Sequence, residues 1–242
     1  MCGIAGILYK NSAAADSSVG KALIDMLDGC QHRGPDSTGY AIYGQPGRNE
    51  YVMRFKVAEQ DEMAKGFDIH DEVKRRRATV EERLASLSVQ VIDREEATEY
   101  AYRYRIHYDG DMKKLVDYVE DVEGTEILSM GNALELIKDL GDAARVADQY
   151  ALRKFKGTHG IGHTRMATES RVDIAHSHPF WARPFRDIAV VHNGTITNYH
   201  ALRRRRDGRR AGWVRHVAGR IPMGLLEHGG RFDVKSGTGV PI

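Results

Sequence analysis

Apolar and polar positions alternate along the chain in blocks that predict short strands and amphipathic helices. Residues 1–9 place small and branched apolar side chains together and predict a buried strand. After Ser17 and Ser18, which are suited to cap a helix, apolar residues recur at helical spacing to about Gln31. Two further strands are predicted at 40–43 and 51–57, on either side of a loop rich in Gly, Pro and Asn.

The middle of the chain, residues 58–152, has a different pattern of charged and apolar residues. Charged, periodic stretches predict helices over 68–87 and 111–122, and apolar runs predict strands at 89–92 and 102–108. Shorter apolar segments between 127 and 150 complete a small α/β patch. We interpret this block as an α/β insertion with a minor core of its own.

From Gly157 onward the pattern becomes apolar and glycine-rich again. Residues 157–170 form a Gly-rich approach to a strand and turn, and 175–180 form a turn before Pro179. A buried strand is predicted at 188–191, ending at His192, Asn193 and Gly194.

Composition limits the classes of protein that the chain can represent. Its 242 residues are 41% hydrophobic and 29% charged, which fits one sizeable domain with an insertion and excludes global disorder. No apolar run approaches the roughly 18 residues of a membrane span. Residues 2–9 lack the flanks of a secretory signal, and two cysteines are too few for a disulfide framework. We therefore expect a cytoplasmic protein without membrane contact.

The last forty residues differ from everything before them. Residues 203–242 contain ten Lys and Arg, nine of them Arg, against three Asp and Glu, together with eight of the 25 glycines. We favour the hypothesis that this Arg/Gly-rich tail is frameshifted or otherwise aberrant; the alternative is a divergent but genuine segment. The run 203–206 lacks interleaved aromatic residues, so no nucleic-acid partner is predicted.

Cys2 is the residue with the most informative chemistry. Once Met1 is removed, it would carry a thiol nucleophile and a free α-amine that serves as its general base. Asn193 and Gly194, at the end of a predicted strand, would supply donors to a developing oxyanion, and Arg165 has the fork geometry that suits a carboxylate. An ordinary turn at Asn193 and a structural ion pair at Arg165 are the competing interpretations.

Metal binding is the weaker alternative for the histidine-rich part of the chain. His159 and His163 are four residues apart, and His176 and His178 are two apart, both of which occur in metal sites. No cysteine or paired carboxylate accompanies them, so no metal site is predicted.

Five separated motifs carry a resemblance to a known family. MCGIAGI at the start, HRGPDSTG, GIGHTRMATES, HSHPF and VVHNGTITNY, in this order, resemble the class II glutamine amidotransferases, which are N-terminal-nucleophile (Ntn) hydrolases. The resemblance covers about 1–44 and 157–202 and implies an α+β fold, the αββα sandwich, incomplete here at its C-terminus. Residues 126–142 also resemble the stand-alone amidotransferase subunit of glutamate-synthase-like and N-methylglutamate synthase complexes. Residues 1–202 are therefore assigned to one amidotransferase domain.

The resemblance implies a role for each matching residue. Cys2 would attack the glutamine side-chain amide, and Asn193 and Gly194 would form the oxyanion hole. Arg165 would bind the substrate α-carboxylate with Thr168 nearby. Arg33 and His178 match motif positions near the pocket and are interpreted as structural first.

The sequence is compatible with two kinds of protein. The first is an enzyme subunit that releases ammonia to a synthase-type partner; no cofactor is expected in this chain, and any flavin or iron–sulfur centre would lie in partner subunits. The second is a non-catalytic assembly subunit or an inactive truncated amidotransferase. It is kept open because the Asp-Ser/Thr-Glu motif that follows the His-Asn-Gly motif in the family has no counterpart here.

Overall fold

The computed structural model describes most of the chain as far as Gly194. The described residues are 2–10, 17–45, 47, 49–64, 66, 68–167, 171–183, 185–194 and 198. The chain divides into two compact units, 1–193 and 194–242, and every element named below belongs to the first. The predicted Arg/Gly-rich tail and Thr168 lie outside the described residues. Within those residues, no helix combines the length and the apolar character that crossing a membrane requires.

The first sheet has four antiparallel strands with helices packed against it. In spatial order they are β1 (Gly3–Leu8), β8 (His159–Arg165), β2 (Ser37–Tyr43) and β7 (Leu134–Leu140). Helix α1 (Val19–Gly29) packs on β1 and β8, and helix α5 (Ala143–Gln149) packs on β2 and β7. A Cβ at Gly160 or Gly162 would lie 2.6 or 2.5 Å from a Leu23 or Leu27 methyl group, respectively. The two glycines of β8 therefore allow α1 to approach the sheet closely.

The second sheet is also antiparallel and has four strands. In spatial order they are β4 (Gln90–Glu96), β5 (Ala101–His107), β3 (Glu50–Lys56) and β6 (Glu126–Gly131). The short helix α2 (Gln60–Met63) leads into α3 (Asp68–Ser86), and α4 (Met112–Glu120) packs against α3 and β6. Val73, Val80 and Leu84 form the buried face of α3. The described part of the chain is thus an α+β protein built on antiparallel sheets, as the sequence predicted.

The predicted insertion contributes strands to both sheets. From this block, β5 and β6 flank β3, while β7 pairs with β2. Among the described residues, its buried apolar side chains belong to the same core cluster as those of α1 and β2, and not to the minor core of its own that was expected. The reason is that strand pairing joins segments distant in sequence, which local periodicity does not reveal.

An ion-pair cluster joins the two sheets. Glu135 on β7 accepts hydrogen bonds from Arg54 on β3 at 2.9 Å and from Arg103 on β5 at 2.8 Å. Glu135 is 4% exposed and Arg54 5% exposed. Burial opposes ionisation of Glu135, but the two guanidinium groups prevail and lower the pKa of the carboxyl group.

A two-stranded ribbon follows the sheets. Strands β9 (Phe180–Trp181) and β10 (Ala189–Val190) pair antiparallel. The carboxylate of Asp187 accepts hydrogen bonds from the backbone N–H groups of Ala133 and Leu134, both at 2.8 Å, and so ties the ribbon to the turn before β7. The predicted buried strand at 188–191 is shorter and half-exposed, because its only partner among the described strands is β9.

Candidate active site

The backbone of Cys2 is the point at which three distant segments meet. The Asn193 side-chain amide donates to the Cys2 carbonyl oxygen at 3.0 Å, and the Arg33 Nε donates to the same oxygen at 3.3 Å. Arg33 lies in the 3₁₀ turn Gln31–Arg33, which follows α1. Because an amide nitrogen carries two hydrogens, the contact with Cys2 uses only one N–H of Asn193. The structure therefore brings Cys2, Arg33 and Asn193 together, while the roles expected of them stay predictions.

The thiol of Cys2 lies beside the end of β8. Its Sγ donates to the Met166 carbonyl oxygen at 3.8 Å. Asp36 holds this turn from both sides, since its N–H donates to the Arg165 carbonyl at 3.0 Å and its carboxylate accepts from Ala167 N–H at 2.6 Å. The Asp of the HRGPDSTG motif thus fixes the backbone next to the thiol.

Arg165 is the last residue of β8 and is 5% exposed. The last pair of the β1–β8 ladder is Gly3 with Thr164, so Cys2 and Arg165 are one position further along opposite strands. Side chains of opposed residues point to the same face and are about 5 Å apart at Cβ. The Arg165 Nη2 donates to the Arg171 carbonyl oxygen at 2.9 Å. This hydrogen bond ties the Arg165 guanidinium group to the segment that begins at Arg171.

The structure describes the other predicted site residues to different extents. Thr168 lies outside the described residues, so its proposed role stays a prediction. Gly194 has a φ of 149°, in the region that favours glycine, and is the first residue of the second unit. His178 is partly buried and stacks on the buried His163.

The histidines pair differently from the spacings considered for a metal site. His159 stacks on Tyr43 with ring centroids 4.0 Å apart, whereas His163, on the same strand, stacks on His178 at 4.5 Å with an interplanar angle of 20°. His176 hydrogen-bonds the Asp173 carboxylate at 2.6 Å. Four residues along a strand span roughly 13 Å, which is too far for His159 and His163 to share one ion.

His163 and His178 together, hereafter the histidine pair, contact the backbone of His192. The His163 Nε2 lies 3.2 Å from the His192 carbonyl oxygen, and the His192 N–H donates to the His178 Nδ1 at 3.0 Å. Burial lowers the pKa of His163 to about 4. Burial, with the nearby His163 and Lys138, lowers the pKa of His178 to about 2. Both rings are therefore neutral at physiological pH.

The loop that carries His178 packs directly on the first sheet. A Cβ at Gly39 on β2 would lie 2.0 Å from the His178 carbonyl oxygen, so only glycine leaves room for this peptide. Lys138, which is 2% exposed, donates to the Ser177 carbonyl at 3.1 Å. The backbone N–H of Ile174 donates to the Glu59 carboxylate at 3.1 Å. These contacts fix the loop against the first sheet and the start of α2.

Acyl transfer requires a nucleophile and hydrogen-bond donors for an oxyanion, and this part of the chain contains a thiol, an amide donor tied to the backbone of the same cysteine, and a guanidinium group. Sequence analysis did not find the roles of His163, Asp36 and Lys138. His163 and Asp36 lie inside the quoted motifs, which is a signal that was available. Nothing in the sequence marked Lys138, because its partner is a backbone carbonyl in a distant loop.

No family model matches this chain. A protein of Methanothermobacter thermautotrophicus, provisionally named a glutamine amidotransferase, is 41% identical over 207 residues, covering 84% of this chain and 64% of the relative. The glutamine amidotransferase-like protein GlxB of Rhizobium meliloti is 33% identical over 204 residues, covering 84% of this chain and 62% of the relative. This chain therefore spans somewhat less than two thirds of the length of these curated relatives.

A shorter match connects the chain to a longer enzyme. The glutamine–fructose-6-phosphate aminotransferase (isomerizing) of Acidithiobacillus ferridurans is 40% identical over 83 residues, which are 34% of this chain and 13% of that enzyme.

Proposed function

This chain belongs to the class II glutamine amidotransferases, and we propose that it hydrolyses the side-chain amide of glutamine with Cys2 as the nucleophile. The observation that carries the proposal is the 3.0 Å contact between the Asn193 amide and the Cys2 carbonyl oxygen, which joins residues 191 positions apart. This contact supports a site in which the thiol of Cys2 acts as the nucleophile and the Asn193 amide donates to its oxyanion.

Removal of Met1 exposes the α-amine of Cys2 as general base. The amine takes the thiol proton, through a water molecule, as Sγ bonds to the amide carbon of glutamine. The tetrahedral intermediate collapses as its C–N bond breaks, and the nitrogen leaves as ammonia with that proton. Water then attacks the thioester, which releases glutamate and restores the thiol.

The remaining residues bind the substrate and stabilise the oxyanion. The second N–H of Asn193 and the backbone N–H of Gly194 donate to the oxyanion, and each such donor typically lowers the barrier by about 2.7–4 kcal/mol. Arg165 binds the α-carboxylate of glutamine as a charge-assisted fork, with Thr168 beside it. Arg33 has no contact with substrate in this scheme; it orients the Cys2 carbonyl.

We also propose the finer fold and the partner. The two antiparallel sheets, with α1 and α5 on one and α3 and α4 near the other, support the αββα sandwich of the Ntn hydrolases. Ammonia would pass to a synthase-type partner of the glutamate-synthase-like or N-methylglutamate synthase kind. That partner would perform the transfer and hold any flavin or iron–sulfur centre.

Steady-state release of glutamate from L-glutamine tests the proposal. We expect Cys2→Ala to abolish release and Cys30→Ala to retain it, because Cys30 is the second cysteine of the chain and contributes backbone groups, not its thiol, to the contacts at this site. We expect Asn193→Ala to lower kcat by about 10²–10³-fold with little change in KM.

Two results would contradict the proposed function. Glutamate release that survives Cys2→Ala would exclude Cys2 as the nucleophile. A folded wild-type chain that releases no glutamate, alone or with its partner, would favour the non-catalytic assembly subunit.

A further inference from the structure

Both peptide groups of His192 are held by the histidine pair. Its N–H, part of the peptide that precedes the residue, donates to the His178 Nδ1 at 3.0 Å. Its carbonyl, part of the peptide that joins it to Asn193, accepts from the His163 Nε2 at 3.2 Å. Because both flanking peptides are fixed, φ and ψ of His192 are fixed, and with them the position of the Asn193 Cα.

The contacts assign one tautomer to each ring. A neutral imidazole has one donor and one acceptor nitrogen. His178 accepts at Nδ1, so its proton is on Nε2, and His163 donates at Nε2, so its Nδ1 carries none. The Nδ1 of His163 is buried, and no described residue offers it a hydrogen bond that would favour the other tautomer. The histidine pair therefore supplies a donor, the His163 Nε2, to the His192 carbonyl oxygen and an acceptor, the His178 Nδ1, to the His192 N–H.

Both imidazole rings must be neutral for these two hydrogen bonds to His192 to form together. A protonated His178 has no acceptor at Nδ1, and two charged rings stacked at 4.5 Å would repel each other. The pKa values of about 4 for His163 and about 2 for His178 keep both rings neutral wherever the protein would work.

We propose that the histidine pair positions Asn193: it fixes the His192 backbone so that the side-chain amide of the next residue reaches the carbonyl of Cys2. These are positioning residues, since neither contacts Cys2 in the described structure. The structural part of the proposal stands on the contacts alone. Its catalytic consequence rests on the proposed glutaminase function, in which Asn193 donates to the oxyanion.

Matched substitutions separate positioning from packing. His178→Asn places an amide oxygen close to the position of Nδ1 and keeps the acceptor, whereas His178→Leu fills similar space without one. In the same way, His163→Gln keeps a donor near the position of Nε2 and His163→Leu removes it. His159→Leu, on the same strand as His163 but stacked on Tyr43, is the control.

Two readouts are needed: kcat and KM for glutamate release, and backbone hydrogen exchange over 186–194. For each Leu variant of the pair we expect kcat to fall about 10- to 100-fold with KM within about twofold, since the lost interaction acts in the transition state. Exchange at the His192 amide should accelerate at least tenfold in His178→Leu. His178→Asn should recover most of both, His163→Gln should recover most of the kcat that His163→Leu loses, and His159→Leu should resemble wild type.

The outcomes are distinguishable. A folded His178→Leu protein with unchanged kcat and unchanged exchange would overturn the proposal, as would equal losses in the Leu and the Asn variants. If His178→Leu does not fold, the His163→Gln and His163→Leu comparison decides by the same criteria. If wild type releases no glutamate, the proposed function fails, but the exchange measurement still decides whether the pair holds the His192 backbone.

Discussion

Replacement of Gly39 by alanine tests whether the loop with His178 is seated as the structure has it. The new Cβ would lie 2.0 Å from the His178 carbonyl oxygen and 2.8 Å from the Pro179 Cδ. Ordinary van der Waals contact begins near 3.4 Å, so the His178 carbonyl would have to retreat by about 1.4 Å. The obstacle is backbone, which a change of side-chain rotamer does not relieve.

The loss in the free energy of unfolding expected for Gly39→Ala follows from this overlap. Overpacking a dense core costs about 1–3 kcal/mol, and a clash with backbone belongs at the upper end. For a chain of this size, about 3 kcal/mol lowers Tm by roughly 6–12 °C. A loop that moves instead would displace His178 from the His192 N–H, and glutamate release would then fall while the protein remains folded.

Thermal unfolding followed by circular dichroism, together with glutamate release, checks this prediction. Gly6→Ala is the matched control: it lies on β1 of the same sheet, and its Cβ would be no closer than 3.4 Å to any neighbour. We expect the control to retain Tm within about 2 °C. If Gly39→Ala were as stable and as active as Gly6→Ala, the placement of the loop against β2 would be refuted.

Three further perturbations probe other parts of the structure. Glu135→Gln leaves Arg54 and Arg103 without their carboxylate between the sheets and should cost about 3–5 kcal/mol in urea unfolding at pH 7; a cost below about 1 kcal/mol would show that the cluster is not buried as described. Asp187→Ala removes the acceptor of two backbone N–H groups and should cost about 1–3 kcal/mol, while Asp187→Asn, which keeps an acceptor, should retain most of the stability; equal losses would contradict this. The pH dependence follows from the histidine pair: each ring has a pKa below its unfolded value, so between about pH 6.5 and 4 the unfolded chain binds protons that the folded chain does not. The free energy of unfolding should therefore fall as the pH falls, by up to about 1.4 kcal/mol per pH unit for each ring, and His178→Asn should reduce that slope.

Elements with a clear period were predictable from the sequence, and an exposed edge strand was not. Helix α3, at Asp68–Ser86, differs from its predicted range by one residue because its apolar face repeats regularly. Strand β4 extends to Glu96, four residues beyond the prediction. Its second half is exposed and charged and is held by ion pairs to β5, such as Asp93 with Arg105 at 3.6 Å, so it has no apolar alternation to detect.

The candidate site was predictable only in part. Motif resemblance singled out Cys2, Arg33 and Asn193, which lie in contact in the structure, and the roles that it implies for them stay predictions. Local spacing could not show that His163 stacks on His178, because the two residues lie on a strand and a loop that meet only in the folded chain.

Intact mass spectrometry after treatment with a diazo analogue of glutamine tests most directly whether Cys2 and Asn193 form a working site. We predict that the purified chain lacks Met1 and gains one adduct, that Cys30→Ala gains the same adduct, and that Cys2→Ala gains none. Labelling should slow markedly in Asn193→Ala, since the donor held on the Cys2 backbone is lost. A folded chain that retains Met1, or that gains no adduct, would contradict the assignment of Cys2 as the nucleophile.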